Sequence, residues 1–138
     1  MNYWLLKSEP STFSIDDLAN KPNQITSWDG VRNYQARNFM RKMGVGDLAF
    51  FYHSSCKIPG IVGIIKIIKT SYPEELHSIW DMVDVQLIQK FPEIITLEKL
   101  RSIPELNNPL NNMIILRKGN RLSITPVTKT EWDKITKL

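Results

Sequence analysis

"LAFFYHSSCKIPGIVGIIKIIK", residues 48–69, decides the fold class. Its opening LAFFYHS is dense in aromatic side chains and its closing PGIVGIIKIIK in β-branched ones, and both kinds pack best on a pleated, half-buried surface. The stretch therefore reads as two strands, over 48–54 and 59–69. Gly60 and Gly63 inside the second mark a bulge, or a point where another backbone comes close.

Outward from this pair the chain mixes further strands with short helices. Upstream, Tyr3–Lys7 is a short aromatic and apolar strand. Downstream, Val83, Val85 and Leu87 alternate with Asp84 and Gln86 in MVDVQLIQKF, the pattern of a half-buried strand, and RLSITPV at 121–127 supplies a last one. Ser14 precedes Ile15-Asp16-Asp17-Leu18, where a capping hydroxyl and first-turn acids start a helix that Asn20–Pro22 must end. Between Asn33 and Met43, Ala36, Phe39, Met40 and Met43 fall on one buried helical stripe, and Gly44 stops the run. Asn33, Arg37 and Arg41 form a second stripe on that helix, facing away from the core. Thr96 opens a helix containing Leu97, Leu100 and Ile103, and Thr128 with Glu131 makes a capping box for the closing helix. About five strands without regular strand–helix alternation predict an α+β, barrel-like domain.

The chain has 138 residues, enough for one core, so residues 1–138 are expected to form a single domain. Its longest apolar run, Ile61–Ile65, is too short to cross a bilayer, and a lone cysteine, Cys56, points to a reducing, intracellular setting: cytoplasmic, or nuclear in a eukaryote. The net charge of +4 is unevenly placed. Residues 1–69 carry nine basic against five acidic side chains, whereas residues 70–138 carry nine of each. An anionic partner for the first half and a plain solvated face both fit that asymmetry.

Catalytic readings find little to build on. His53, His77 and Cys56 lack the paired spacing of zinc sites, so neither metal nor cofactor is expected. HSSC at 53–56 gathers an imidazole, hydroxyls and a thiol, but consecutive residues of a strand point to opposite faces and cannot form a dyad. With no nucleophile elbow or phosphate loop either, the expectation is a protein without catalytic residues.

Several ordered blocks, YWLLKSEPSTFSIDDL at 3–18, WDGVRNYQARNF at 28–39, VGDLAFFYHS at 45–54, PGIVGI at 59–64 and RLSITPV at 121–127, closely resemble the EVE domain family. The resemblance spans nearly the whole chain. It implies a PUA-like mixed β-barrel of about five or six strands flanked by short helices, related to the YTH and ASCH domains. It also implies a pocket for a nucleobase, with chemically modified bases of DNA or RNA as the proposed ligands. Departures from the family pattern are Ser55, where Asn is frequent, Gly44, where Lys is frequent, and a shortened stretch at Pro73–Ile79.

Under that resemblance Trp28 matches, by position, a tryptophan that walls an aromatic cage in YTH-like domains. From the residues alone the indole either packs on the core or offers a face to a ligand from a polar loop. Base stacking on such a ring is worth about 1–3 kcal/mol. Lys7, Ser8 and Glu9 correspond to the segment that lines the ligand site in the related domains, and Glu9 is suited to accept a hydrogen bond from an exocyclic amine. Asn33 is either a helix cap or a base contact. Tyr52, His53 and Ser54 lie across the pocket, with one alternating set facing it. Trp80 is a second cage wall or a core residue. Arg32, Arg37 and Arg41, with Arg117, Lys118 and Arg121 as a second cluster, are the candidate phosphate contacts. The leading expectation is a reader of modified bases in which Trp28→Ala abolishes the preference and leaves the chain folded. Two others compete: an RNA-processing accessory that binds unmodified RNA, and a small enzyme acting on nucleic acid or nucleotides through HSSC.

Overall fold

Alternation along the central strand organises the molecule. The computed structural model describes residues 1–138, with the first of its strands, β1, at Tyr3–Ser8 and the third, β3, at Leu48–His53. Along β3, Phe50 and Tyr52 point into one hydrophobic cluster with Leu5, Ile61, Ile64 and Trp132. Ala49 and Phe51 point into the other, with Trp4, Leu6, Ile65, Ile67 and Trp28. The two-residue period thus gives each face of the sheet its own core.

Six strands make one mixed sheet in the order β2-β5-β4-β3-β1-β6, with β2 at Ile25–Trp28, β4 at Gly60–Pro73, β5 at Asp81–Thr96 and β6 at Ile124–Val127. β1 and β3 run parallel and the other neighbours antiparallel. Short helices flank the sheet: α1 at Ile15–Ala19, α2 at Tyr34–Met40, α3 at Leu97–Arg101 and α4 at Lys129–Thr136. This is the α+β architecture expected. Its hydrogen-bonded order is open, leaving β2 and β6 as edges rather than closing a ring.

Local chemistry explains most boundaries. Ser14 and Thr128 each complete a capping box, with Asp17 and Glu131. A Cβ on Gly60 would lie 2.3 Å from the carbonyl of Ile95, and one on Gly63 2.4 Å from that of Gln89, so both positions require glycine for close backbone approach. The register shift between Ile61 and Gly63 places Ile61 and Ile64 on the same face despite their three-residue spacing. In the turn before β3, Asp47 is buried and accepts from the Asn2 and Gly44 amides and from Trp4 Nε1 at 3.1, 2.9 and 3.1 Å.

Two expectations need correction. Residues 25–28 are strand, not a polar loop, because their backbone pairs with β5 from Ile25 opposite Gln86 to Trp28 opposite Val83. β4 and β5 are also longer than their apolar patterns, since the hairpin continues past the core with exposed side chains held by its ladder.

Candidate functional site

Edge strand β2 leaves one side of its backbone without a strand partner, and on the sheet's other flank β1 ends at Ser8. A cavity of about 430 Å³ occupies the space between β2 and the chain leaving β1. One wall is Thr26 to Gly30, the other Lys7, Ser8, Thr12 and Phe13, and Lys21 stands at the side. Gly30 takes φ of +77° as the chain turns out of β2, a conformation glycine adopts without strain. A larger cavity of about 560 Å³ lies between the far half of β5 and α4, lined by Phe91, Ile94, Ile95 and Ile135. It holds none of the predicted site residues. The smaller cavity holds Trp28, Lys7 and Ser8, together with hydroxyls and both signs of charge, and is the candidate.

Trp28 does not stand open. It is 7% exposed, with Phe51 at 5.1 Å and 81° and Phe13 at 6.4 Å and 88°, both nearly perpendicular to it. Side-chain alternation in β2 drives the ring into the core while its margin borders the cavity. Trp28→Ala therefore removes core as well as cavity wall, and the expectation of an intact fold in that variant is withdrawn. Ser8 donates its hydroxyl to the Phe13 carbonyl at 2.7 Å, which shapes the turn opposite Trp28. Burial lowers the pKa of Lys7, whose ammonium joins none of the chain's ion pairs.

Other predicted residues lie elsewhere. Glu9 is exposed and outside the cavity lining. Asn33 caps α2, its Oδ1 accepting from the Ala36 amide at 2.9 Å. Tyr52 belongs to the opposite core with Phe50, so it cannot face Trp28, and burial pushes its phenol up to about 12. His53 is on the Trp28 side, but its Nε2 accepts from the Ile15 amide at 3.1 Å and ties α1 to β3. Desolvation lowers its pKa, with nearby Asp16 opposing. Ser54 uses its backbone amide to bond the Ser8 carbonyl at 3.0 Å. Ser55 has φ of +51°, a left-handed conformation that asparagine adopts more readily than serine, and it does not line the cavity.

Three arginines meet a different fate from the one expected. Arg32 makes two 2.8 Å bonds to Glu74, which also accepts from the Gly30 amide at 2.9 Å. The Arg32 hydrogen bond, and Gly30 after it, holds the Glu74 carboxyl below its ordinary pKa. Arg37 donates to the Ile79 carbonyl at 3.0 Å, and Arg41 pairs with buried Asp81 at 2.7 Å. Trp80 stacks on Tyr34 at 5.0 Å with the Arg32 guanidinium 5.5 Å from its ring, outside the cavity. The row along α2 thus clamps the β4–β5 turn, the stretch expected to be shortened. Arg117, Lys118 and Arg121 remain exposed, on the loop whose Ser123 carbonyl accepts from the Lys7 amide at 2.8 Å. Among the lining residues that went unpredicted, Asp29 and Gly30 lie in the WDG stretch, and Thr12 and Phe13 in the segment after Glu9.

No group of three or more His, Cys, Asp or Glu side chains converges as metal ligands would, and no helix is long and apolar enough to cross a membrane. Comparison with known proteins points one way. Human thymocyte nuclear protein 1 is 42% identical over an alignment covering 99% of this chain and 73% of that protein. A crystal structure of human THYN1 protein in complex with 5-methylcytosine-containing DNA superposes with a TM-score of 0.88 at 42% identity, covering 99% of this chain and 96% of that one. A Pseudomonas putida protein of known crystal structure gives 0.86 at 42% identity, over 98% and 97%. The EVE domain model matches residues 2–138, and with relatives at this identity along its whole length the chain belongs to the EVE domain family.

Proposed function

We propose that this protein is a non-catalytic nucleic-acid reader that holds a modified base, turned out of its stack, in the cavity beside Trp28. The observation that carries the reading is that cavity: about 430 Å³, within the roughly 300–1,000 Å³ range of ligand sites, with aromatic Trp28 and Phe13 and the hydroxyl residues Ser8, Thr12 and Ser27 around it. Aromatic contact with half-buried Phe13 and with the margin of Trp28 offsets part of the few kcal/mol needed to unstack the base. The relative bound to 5-methylcytosine-containing DNA makes that base the first ligand to test. A non-catalytic role is supported by His53, whose Nε2 is occupied by the Ile15 amide and is not free to act as a base.

The test uses duplexes that differ only in one cytosine or 5-methylcytosine, titrated at one fixed salt concentration. Thr12 is exposed and its side chain borders open space, so Thr12→Trp blocks the cavity without removing core. The wild type binds the modified duplex more tightly and Thr12→Trp loses the difference while melting as the wild type does. Equal affinities in the wild type refute the reading, and tighter binding to unmodified RNA favours the RNA-accessory alternative.

A further inference from the structure

We infer that Asp29 sets the chemical class of the base: it selects a base with an exocyclic amino group and disfavours thymine or uracil. The inference rests on the reader proposal and sharpens it. Among the ten residues lining the cavity, Asp29 is the single carboxylate. A carboxylate there is a liability for a protein that approaches phosphates, because it repels them, unless a ligand brings donors to it. Arg32 feels its charge, but no neighbour pairs with it or bonds its oxygens. Arg32, the nearest guanidinium in sequence, spends both terminal nitrogens on Glu74, and Asp29 joins none of the five ion pairs. Lys7 and Lys21 line the same cavity without pairing to it.

An ionised carboxylate only accepts hydrogen bonds. Cytosine offers the N4 amino group as a donor, whereas thymine and uracil present the O4 carbonyl at the same place. Set against Asp29, the amine makes a charge-assisted bond and the carbonyl oxygen meets a negative charge. On the other wall, hydroxyls such as that of Thr12 both donate and accept and the Lys7 ammonium only donates, so Asp29 is the one side chain of the lining that only accepts. Glu9, the carboxylate expected to play this part, is exposed outside the cavity.

The decisive pair of probes is 5-methylcytosine and thymine, which share the 5-methyl group and differ at the C4 substituent and the N3 proton. Each is placed opposite an abasic position in one duplex, so that base pairing contributes equally, and titrated at one salt concentration. The wild type prefers 5-methylcytosine by about tenfold or more. Asp29→Asn, whose amide presents either a donor or an acceptor, brings the two affinities to within about threefold. Asp29→Ala loses affinity for 5-methylcytosine and, with the repelling charge gone, gains modestly for thymine, so the two affinities converge there as well. Because Asp29 is exposed, both variants melt as the wild type does. A wild-type preference that persists unchanged in Asp29→Asn overturns the inference. If Thr12→Trp also leaves binding unchanged, the base does not enter the cavity and the reader proposal falls with it. If Thr12→Trp blocks binding while Asp29→Asn keeps the preference, only the role of Asp29 fails.

Discussion

Trp28 and Trp132 are buried alike, at 7% and 6% exposure, and each packs against a phenylalanine of β3, yet they sit differently. Trp132 lies flat on Phe50 at 4.0 Å and on Tyr3 at 4.7 Å, with interplanar angles of 20° and 27°. Trp28 meets Phe51 and Phe13 near the perpendicular, and no aromatic ring lies parallel to it. Each face of the sheet has a cavity at its margin, but Trp132 stays out of the one beside β5 and α4, whereas Trp28 lines the other. Fractional burial alone does not separate a structural indole from one beside a site. Ring orientation and the neighbouring space do.

The largest effect that tests this contrast is on stability. Alanine at either tryptophan costs about 3–5 kcal/mol, the usual range for a buried aromatic, and so says nothing about function. Phenylalanine keeps most of the packing and separates the roles. Trp132→Phe lowers the melting temperature and leaves the ratio of affinities for 5-methylcytosine and cytosine duplexes unchanged. Trp28→Phe lowers that ratio as well. Melting curves with paired titrations check both, and a ratio changed equally by the two variants breaks the comparison.

A smaller contrast divides the cations. Arg41→Gln leaves the buried Asp81 carboxylate without its partner, at a cost of about 1–3 kcal/mol. Replacing the exposed Arg117, Lys118 and Arg121 by Gln changes stability by no more than about 0.5 kcal/mol. For each of the three that touches a phosphate, however, the slope of log affinity against log salt becomes shallower by about one unit. Denaturant melts and a salt titration read the two effects separately, and an unchanged slope removes the loop from the nucleic-acid surface.

What the sequence showed and what it hid follow the range of the interactions. β1, β3 and the capping boxes depend on neighbours within a few residues, so periodicity and cap chemistry reveal them. β2 is four residues, Ile-Thr-Ser-Trp, held by a partner strand far along the chain: Ser27 Oγ bonds Asp84 Oδ1 at 2.9 Å across 57 positions. No local pattern announces it. The i, i+4 spacing correctly puts Arg37 and Arg41 on one side of α2 and its C-cap, but Asn33 turns back as the N-cap, and the spacing does not show that the β4–β5 turn covers that side. Lys7, Ser8 and Trp28 came to the site through the family resemblance. Asp29 went unread beside them because its place in the cavity lining depends on where β2 ends.

His53 and Tyr52 carry the contrast between the two faces to its finest scale, one residue apart on β3. Burial raises the Tyr52 phenol to about 12 on the Trp132 side and lowers the His53 imidazole on the Trp28 side. Tyr52 thus stays neutral in both the folded and the unfolded chain through the acid range, and only His53 of the two contributes pH dependence there. Its folded pKa lies below the ordinary value near 6.5, so the fold prefers the neutral ring. That contribution to stability is complete above the unfolded pKa and is lost as pH falls from about 6.5 through the folded pKa. Protonation also puts a hydrogen on Nε2, where the Ile15 amide now donates, and α1 loses its tie to β3. In His53→Gln the side-chain carbonyl keeps an acceptor for that amide and does not titrate. The melting temperature of the wild type therefore falls between pH 7 and pH 5 by more than that of His53→Gln, a modest difference read by thermal melts at matched ionic strength. Identical pH profiles in the two proteins mean that the His53 ring is indifferent to its charge and that the Trp28 side of β3 is wetter than its burial indicates.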